Sequence, residues 1–229
     1  MCGRIVVARP TDVLAGFFGV TDVVAGEREP SWNVTPGAEI LAVAGTRSGR
    51  RLGTMGWGLV PSWLADPAGG PRPINARVET IVDNGMFAES LARRRCLVVV
   101  DGFYEWRRPV GGPKQPYYLD LADGSEDPFA LAGIWDRNAG AVTCAVVTCP
   151  ADENLTWLHD RMPVRLAPDR WDAWLDPAAH DVDELLRLLH AGPAVPLRAR
   201  PVGPRVNSAR NDGPDLVTVL SGETQPQLL

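Results

Sequence analysis

The sequence has little lysine, histidine or cysteine and no long apolar run. Lys114 is the one lysine among 23 basic residues of a 229-residue chain that also has three histidines and four cysteines. The cysteines lack the CxxC spacing of a zinc site, so no metal and no other cofactor is expected. No apolar run reaches the roughly 18 residues that span a bilayer, and the N-terminus lacks the apolar stretch of a secretory signal. We therefore expect a cytoplasmic protein that does not bind membranes.

Charge and the absence of short catalytic motifs exclude few further classes of protein. The net charge of −5 argues against a generally basic nucleic-acid binder, but residues 1–110 carry a small excess of arginine over acids, whereas residues 111–229 are acidic. The arginine bias reflects either codon usage or a surface whose guanidinium forks bind phosphates. The P-loop, GxSxG and HExxH motifs are absent from the sequence.

Short β-strands are predicted to dominate the fold, because scattered glycines and prolines punctuate runs rich in β-branched and aromatic residues. The predicted strands are Ile40–Ala44, Leu52–Leu59, Cys96–Val100, Gly102–Trp106, Tyr117–Leu121, Phe129–Trp135 and Val142–Thr148. Helical patterns are fewer and cover Thr11–Phe18, Gly85–Arg95, Glu153–His159, Ala167–Leu175 and Asp181–His190.

This mixture predicts an α+β fold with largely antiparallel sheet. No repeat and no composition break marks a domain boundary, so we expect one domain over residues 1–219 and a loose polar tail over residues 220–229. Residues 75–80 are predicted to be poor in strand, and residues 191–215 are predicted to form an ordered wrap.

Cys2 would have unusual chemistry if Met1 were removed, which the small cysteine side chain favours. Removal would leave an α-amine and a thiol on adjacent carbons. Reference pKa values of about 7.7–8.0 for the amine and 8.5 for the thiol leave some neutral amine at pH 7. Such a 1,2-aminothiol condenses with an aldehyde to a Schiff base, which the thiolate then closes to a five-membered thiazolidine. Taken alone, the position is also compatible with an incidental cysteine.

Three other polar residues are candidates for acid–base work or substrate binding. In the extended run after Asp101, Glu105 would share a face with Phe103, and an apolar setting would raise its pKa; the alternative is an edge-strand glutamate that reaches solvent. His159, at the end of a short helix, is either a proton shuttle or a capping residue. Asn75 offers a donor and an acceptor to a hydroxyl or an amine, or it is a helix N-cap.

One arginine and two aromatic loops are candidates for nucleic-acid contact. Arg77 would suit a phosphate, with a helical salt bridge as the alternative. The loops at residues 32–36 and 56–64 would stack on or wedge against bases, unless their aromatic side chains belong to the core.

Eight motifs, in this order, resemble a known family. They are Met1-Cys-Gly-Arg4, Trp32-Asn-Val-Thr-Pro36, Trp57-Gly-Leu-Val-Pro-Ser-Trp63, Ile74-Asn-Ala-Arg-Val-Glu-Thr80, Asp101-Gly-Phe-Tyr-Glu-Trp106, Ala132-Gly-Ile-Trp135, His159-Asp-Arg-Met-Pro163 and Val206-Asn-Ser-Ala-Arg-Asn211. Together they strongly resemble the SRAP family, the SOS response-associated peptidases that shield abasic sites in DNA. The resemblance covers residues 2–219.

The resemblance implies a barrel-like sheet core that carries a basic cleft for single-stranded DNA. The mature N-terminal Cys2 would form a thiazolidine crosslink with the ring-opened aldehyde of an abasic site, by lyase-like Schiff-base chemistry. Asn75 would orient the amine and the sugar, Glu105 would be the acid and base for Schiff-base formation, and His159 would assist ring opening and crosslink release. The DNA contacts implied by the motifs are Arg4, Asn33, Pro36, Trp63, Leu64, Arg77 and Arg161.

The resemblance also implies a monomer that takes part in DNA repair and joins the nucleoid on damage.

Two rival functions stay open. A cysteine peptidase or amidase would also use Cys2 as its nucleophile, with the amine of Cys2 as the base, and removal of Met1 would be one such cleavage. A non-covalent single-strand binder would need no chemistry from Cys2, and its binding would disappear at high salt.

Overall fold

The computed structural model describes residues 2–108, 111–190, 192 and 195–220, so most of the predicted tail at 220–229 lies outside the described residues. The strands within these ranges are β1 (Ile5–Val7), β2 (Asp22–Val23), β3 (Ser31–Val34), β4 (Glu39–Thr46), β5 (Gly49–Trp57), β6 (Asn75–Arg77), β7 (Arg95–Val100), β8 (Gly102–Arg107), β9 (Gln115–Leu121), β10 (Phe129–Asn138), β11 (Ala141–Pro150), β12 (Arg161–Pro163), β13 (Arg165–Leu166) and β14 (Leu197–Pro201).

The helices of the described residues are few and short. The α-helices are α1 (Thr11–Phe17), α2 (Ala88–Arg93), α3 (Trp171–Leu175) and α4 (Val182–His190), and single 3-10 turns lie at Glu153–Leu155, Pro168–Arg170, Pro204–Asn207 and Pro214–Val217. The α+β class predicted from the sequence is therefore confirmed.

One of the two sheets closes partly into a ring. Its hydrogen-bonded order runs β5, β4, β7, β10, β11, and β11 pairs back to β5 in parallel through Thr143 with Gly56 and Cys144 with Trp57. The short strands β6 and β12 also pair with β11, β13 pairs with β10, and β2 pairs with β5. The barrel-like core implied by the family resemblance is thus present.

The other sheet has the order β14, β9, β8, β1, β3, and every pair in it is antiparallel. The single residue Asp101 connects β7 of the ring to β8 of this sheet. Its carboxylate accepts hydrogen bonds from the backbone of Ala8, at 2.6 Å, and of Arg9, at 3.3 Å. The connection therefore fixes the second sheet against the ring.

Side chains of the ring alternate between two apolar cores, as the period of a strand requires. Leu41 and Val43 of β4 pack in a core that includes residues of all four α-helices. Ala42 of the same strand and Val98 of β7 pack in the opposite core, which includes Cys2 and residues of the second sheet. Burial of each of the larger of these side chains, Leu41, Val43 and Val98, contributes roughly 1.5–3 kcal/mol to the free energy of folding. The helices therefore cover one face of the ring strands, and Cys2 lies on the other.

All seven predicted strands form, with ends within three residues of the prediction. Of the predicted helices, the segment at 85–95 is shorter, because Asn84 binds the backbone N–H groups of Met86 and Phe87 in a turn before α2 begins. The segment at 153–159 is a 3-10 turn followed by further turns, not a regular helix; Leu158 N–H bonds to Leu155 O at 2.9 Å, three residues back.

Among the described residues, seven of the fourteen strands appear where none was predicted, and two of them lie in segments that were expected to be poor in strand or to form a wrap. Asn75–Arg77 forms β6 because β11, a remote segment, supplies its parallel hydrogen bonds. Leu197–Pro201, inside the predicted wrap, forms β14: alternate residues are buried, while Arg198 and Arg200 pair with Asp120 on the adjacent strand. Both strands depend on partners far away in the sequence, so their local composition did not reveal them.

Gly102 is expected to be a sensitive position for stability. A Cβ there would lie 2.3 Å from Tyr118 Oη and 2.5 Å from Cε2 of the same ring. The ring has little room to move, because Tyr118 is buried and its hydroxyl donates to Asp101 O at 3.0 Å. Gly102→Ala should therefore lower the free energy of unfolding by about 1–3 kcal/mol in urea denaturation.

The matched control for this prediction is Gly16 in α1, where a Cβ would meet nothing within 4 Å. Gly16→Ala is expected to leave the free energy of unfolding unchanged or to raise it by up to about 1 kcal/mol, because alanine favours the helix. Equal urea midpoints for the two variants would contradict the packing argument.

Candidate active site

Cys2 lies buried where β1 runs alongside β8. Ile5 pairs with Phe103, and Tyr104 N–H donates to Arg4 O at 2.9 Å. The same antiparallel register, continued towards the N-terminus, brings Cys2 to the Glu105 end of β8. Cys2 is fully buried and Glu105 is 7% exposed. The register thus places a thiol and a carboxylate together inside the protein.

The predicted alternation along β8 is confirmed. Tyr104 and Trp106 pack together on one face, with ring centroids 6.4 Å apart, whereas Phe103 belongs to the core that contains Cys2. Glu105 is not an edge-strand glutamate that reaches solvent, because β8 lies between β1 and β9. One of its oxygens, Oε1, accepts a hydrogen bond from Trp106 N–H at 3.0 Å.

The Cys2 thiol is neutral in this environment. Burial and, as a smaller cause, the negative charge of Glu105 together raise the pKa of Cys2 to about 12, against opposite effects of the terminal amine and of a backbone hydrogen bond with Arg4. A thiol has to lose its proton to become a strong nucleophile. Chemistry at this sulfur therefore needs a nearby base, and the carboxylate of Glu105 is close enough to influence the thiol.

Asn75 contacts Cys2 directly. Its position in β6, opposite Val146 of β11, lets Nδ2 donate to Cys2 O at 2.9 Å. The other end of the amide, Oδ1, is buried and accepts no hydrogen bond from the residues that the structure describes. A buried acceptor without a hydrogen bond lowers the stability of a protein by about 1–3 kcal/mol. This oxygen is therefore positioned to accept a hydrogen bond from an additional donor. The alternative that Asn75 is a helix N-cap is wrong.

His159 lies just before β12, on the other side of β11 from β6. Its Nδ1 accepts a hydrogen bond from Arg161 N–H at 2.9 Å and is also 2.8 Å from Asp160 Oδ1. The guanidinium of Arg161 forms an ion pair with Glu79 and donates to Thr148 O at 2.8 Å. Because β6 and β12 both pair with the end of β11, the strand brings the Asn75 and His159 segments to the same end of the ring.

Three of the predicted DNA contacts are engaged within the protein: Arg161, through its ion pair with Glu79, and also Arg4 and Asn33. Arg4 donates to Asn33 Oδ1 and to Val206 O, the latter at 2.7 Å, and its guanidinium lies 5.6 Å from the Trp106 ring centroid. Asn33 is buried and donates to the backbone oxygens of Ser208 and Asn211 at 3.0 and 2.6 Å. Arg4 and Asn33 therefore tie β1 and β3 to the C-terminal segment, and their contact with DNA stays a prediction.

The other predicted contacts are more accessible. Pro36 and Arg77 are exposed, and Trp63 is a large apolar side chain that is 57% exposed, with half-buried Leu64 beside it. Trp63 Nε1 donates to Gly85 O at 3.3 Å. Contact of these residues with nucleic acid stays a prediction.

Sequence reasoning missed the side chains that hold this tryptophan loop. Asn138 Nδ2 donates to Pro61 O at 2.6 Å and to Leu64 O at 2.9 Å, and buried Asp136 accepts from Ser62 N–H at 2.9 Å. Both residues lie on β10, more than 70 positions away from the loop. The nearby tryptophan motif at 132–135 was the one available signal, and it did not indicate these partners.

The site is defined by buried polar contacts, and a separate cavity of about 770 Å³ lies elsewhere. That cavity is lined by parts of β4, β5, β10 and β11, including Met55, Trp135 and Arg137, and by none of the predicted site residues. Among the described residues there is no cluster of three or more side chains suited to a metal ion. In the same part of the chain, no helix has the length and apolar character needed to cross a membrane.

Comparisons with known proteins agree on one family. The family model described as SOS response associated peptidase (SRAP) matches residues 1–209. The abasic site processing protein YoqW of Bacillus subtilis is 36% identical, with 95% of this chain and 99% of that protein aligned. The abasic site processing protein YedK of Escherichia coli is 31% identical, over 81% of this chain and 83% of that protein.

Solved structures share the fold. A phage-related protein from Bordetella bronchiseptica superposes with a TM-score of 0.69 at 30% identity, covering 88% of this chain and 94% of that one. A crystal structure of a protein from Bacteroides thetaiotaomicron gives a TM-score of 0.82 at 23% identity, covering 96% of this chain and all of the other. The second likeness concerns the fold alone.

Proposed function

The chain belongs to the SRAP family, and from this premise we propose that it captures abasic sites in single-stranded DNA by covalent reaction with Cys2. The relatives named above are abasic site processing proteins. The observation that carries the proposal is the arrangement around Cys2: a buried thiol close to the Glu105 carboxylate, with the Asn75 amide bound to the Cys2 carbonyl. The protein would act as a monomer, with one domain over residues 1–219.

Asn75 would orient the amine after Met1 is removed. Its Nδ2 already holds the Cys2 carbonyl, and its buried Oδ1 has no donor among the described residues. The freed α-amine of Cys2 is a donor on the same residue as that carbonyl, so one side-chain amide would bind both groups. Because the amine donates a hydrogen bond to Asn75, its nitrogen lone pair would point away from Asn75 and towards the incoming aldehyde.

The covalent step joins the α-amine and the thiol to one carbon and releases one water. The nitrogen attacks the aldehyde carbon of the ring-opened sugar, and one of the two amine protons passes to the aldehyde oxygen. The Glu105 carboxylate takes the thiol proton and gives it to the resulting hydroxyl, which departs as water. The thiolate then bonds to the iminium carbon, and the ring nitrogen keeps its remaining proton. The carboxylate thus supplies the base that the neutral, buried Cys2 thiol needs.

His159 would assist opening of the sugar ring. Because Nδ1 accepts the Arg161 backbone N–H, a neutral imidazole in this arrangement carries its proton on Nε2. The Nε2–H group donates a hydrogen bond to the ring oxygen while the proton of the anomeric hydroxyl passes to that oxygen, so the hemiacetal opens with the imidazole unchanged. The same contact serves the reverse direction.

DNA would be recognised through its backbone and not through base edges. An abasic site has no base to read, so capture depends on phosphate contacts and stacking. Exposed Arg77 would bind a phosphate, and Trp63 with Leu64 would wedge against the nucleotides beside the lesion. Although the chain is acidic overall, a cleft lined by arginine can still attract a strand. We place this activity in the cytoplasm, at the nucleoid after damage.

A peptidase function is the second candidate, because the matching family model is described as a peptidase. Cys2 would act on an amide bond, with removal of Met1 as one such cleavage. This reaction needs a nucleophilic sulfur or oxygen but no aldehyde. It therefore differs from the first candidate in what replacement of Cys2 by serine would do.

The proposal is tested with protein whose mass shows that Met1 is absent. It is mixed with a single-stranded oligonucleotide that carries one abasic site, heated in denaturant and run on a denaturing gel. A heat-stable shift in mobility is expected with the strand that carries the aldehyde-bearing site. No shift is expected with an intact strand, or with a tetrahydrofuran analogue, which cannot open to an aldehyde. The absence of any shift with the abasic strand would exclude covalent capture.

A further inference from the structure

We propose that Glu79 is a positioning residue, which holds Arg161 so that the backbone of Arg161 fixes the tautomer of His159. The consequence for catalysis rests on the proposed function, in which the Nε2–H group of His159 donates a hydrogen bond to the sugar. The structural part of the inference, that Glu79 controls which ring nitrogen carries the proton, does not depend on that function.

The first step of the argument is the environment of the Arg161 guanidinium. Both terminal nitrogens meet the Glu79 carboxylate, with Nη2 and Oε2 2.9 Å apart, and Nη2 also donates to Thr148 O at 2.8 Å. Thr148 is fully buried in β11, and the Arg161 side chain is only 12% exposed. The planar guanidinium is therefore fixed between a surface carboxylate and a core strand, a geometry that suits arginine.

The second step is a competition for His159 Nδ1. Arg161 N–H, 2.9 Å away, needs the lone pair of an unprotonated Nδ1, whereas Asp160 Oδ1, 2.8 Å away, needs a proton on the same nitrogen. A neutral imidazole satisfies one of these partners at a time. With Arg161 it carries the proton on Nε2, and with Asp160 it carries the proton on Nδ1. Asp160 is 85% exposed, so its side chain has no comparable anchor.

The third step connects the two observations. Anchoring the Arg161 side chain on Glu79 and Thr148 also restrains its backbone N–H, which favours the tautomer protonated on Nε2. Hydrogen bonds from Arg161 lower the pKa of Glu79, so the carboxylate is charged at neutral pH and the ion pair persists there. A direct phosphate contact of Arg161, as expected from the family resemblance, would require a phosphate to displace Glu79.

The test is nitrogen-15 NMR of histidine-labelled protein, which the three histidines of the chain make simple to assign. At a pH where His159 is neutral, the wild-type protein is expected to show Nδ1 unprotonated and Nε2 protonated. In Glu79→Ala, the population with a protonated Nδ1 should rise, and crosslinking to abasic DNA should slow by at least about fivefold, the effect of roughly 1 kcal/mol. Glu79→Gln, which keeps an acceptor for Arg161, should restore part of the rate.

Two further variants sharpen the result. Glu89→Ala is the matched control, because Glu89 also pairs with an arginine, Arg94, and its loss should change neither the tautomer nor the rate. Adding Asp160→Asn to Glu79→Ala replaces the charged competing acceptor by an amide, whose N–H group can donate to Nδ1. The double variant should therefore regain the wild-type tautomer and much of the rate.

The outcomes separate this inference from the proposed function. An unchanged His159 tautomer in folded Glu79→Ala would overturn the inference. Tighter binding of Glu79→Ala to an intact single strand, with a steeper salt dependence, would also overturn it, because Arg161 would then be a phosphate contact that Glu79 blocks. If the wild-type protein did not crosslink at all, the proposed function would fail, while the NMR result would still decide the role of Glu79.

Discussion

Cys2→Ala is expected to abolish heat-stable capture of an abasic-site oligonucleotide. The variant keeps an α-amine, so it still forms a Schiff base, but an imine hydrolyses on heating in water. The thiazolidine survives because sulfur and nitrogen share one carbon in a five-membered ring. Sodium borohydride should therefore trap Cys2→Ala on the DNA, whereas heating without reductant should leave no adduct. Trapping would also show that an amine of the variant still reaches the lesion.

Cys2→Ser separates the two candidate functions. Serine keeps an amine and a hydroxyl, which suffice for attack on an amide, but the oxygen analogue of the thiazolidine hydrolyses readily. We expect no heat-stable adduct on a denaturing gel, and retention of peptide cleavage only if the peptidase candidate is correct. Cys149→Ala is the control, because this half-buried cysteine does not share a residue with the amine. A stable adduct with Cys2→Ser would contradict ring closure by sulfur.

Retention of Met1 is expected to be as damaging as loss of the thiol. In the longer chain the nitrogen of Cys2 belongs to an amide, which does not condense with aldehydes. Inserting a lysine between Met1 and Cys2 should block processing, because methionine removal needs a small second residue. Protein whose intact mass confirms the extra residues should give no heat-stable adduct with abasic DNA.

The control for this prediction is a removable leader. A chain whose leader ends immediately before Cys2 should be inactive until a site-specific protease removes the leader, and capture should then appear in proportion to the fraction cleaved. Capture by the uncleaved protein would place the reactive amine elsewhere and would remove Cys2 from the Schiff-base step.

The sequence predicts the ring strands well because each carries a local stretch of β-branched, aliphatic or aromatic residues. Alternation along β8 also predicts correctly that Glu105 and Phe103 share a face. The strands β6 and β14 escape such reasoning, since the first has three residues and the second alternates with arginines whose partner, Asp120, is on another strand. What local pattern cannot supply is the identity of remote hydrogen-bonding partners.

In the candidate site, too, local motifs predict the residues but not their remote partners. Motifs identify Cys2, Asn75, Glu105 and His159 as a set, and the structure brings Asn75 into contact with Cys2. The pairing of Arg161 with Glu79 joins side chains 82 positions apart, and no spacing rule points to it. Arg4 presents the same difficulty, because its partners lie in β3 and the C-terminal segment.

The intact mass of the heat-stable adduct tests the central claim most directly. Ring closure at the N-terminus predicts the mass of the protein without Met1, plus that of the abasic oligonucleotide, minus one water, with fragment ions that place the added mass on Cys2. An adduct that retains Met1, or one attached to Lys114 or to another cysteine, would contradict the account.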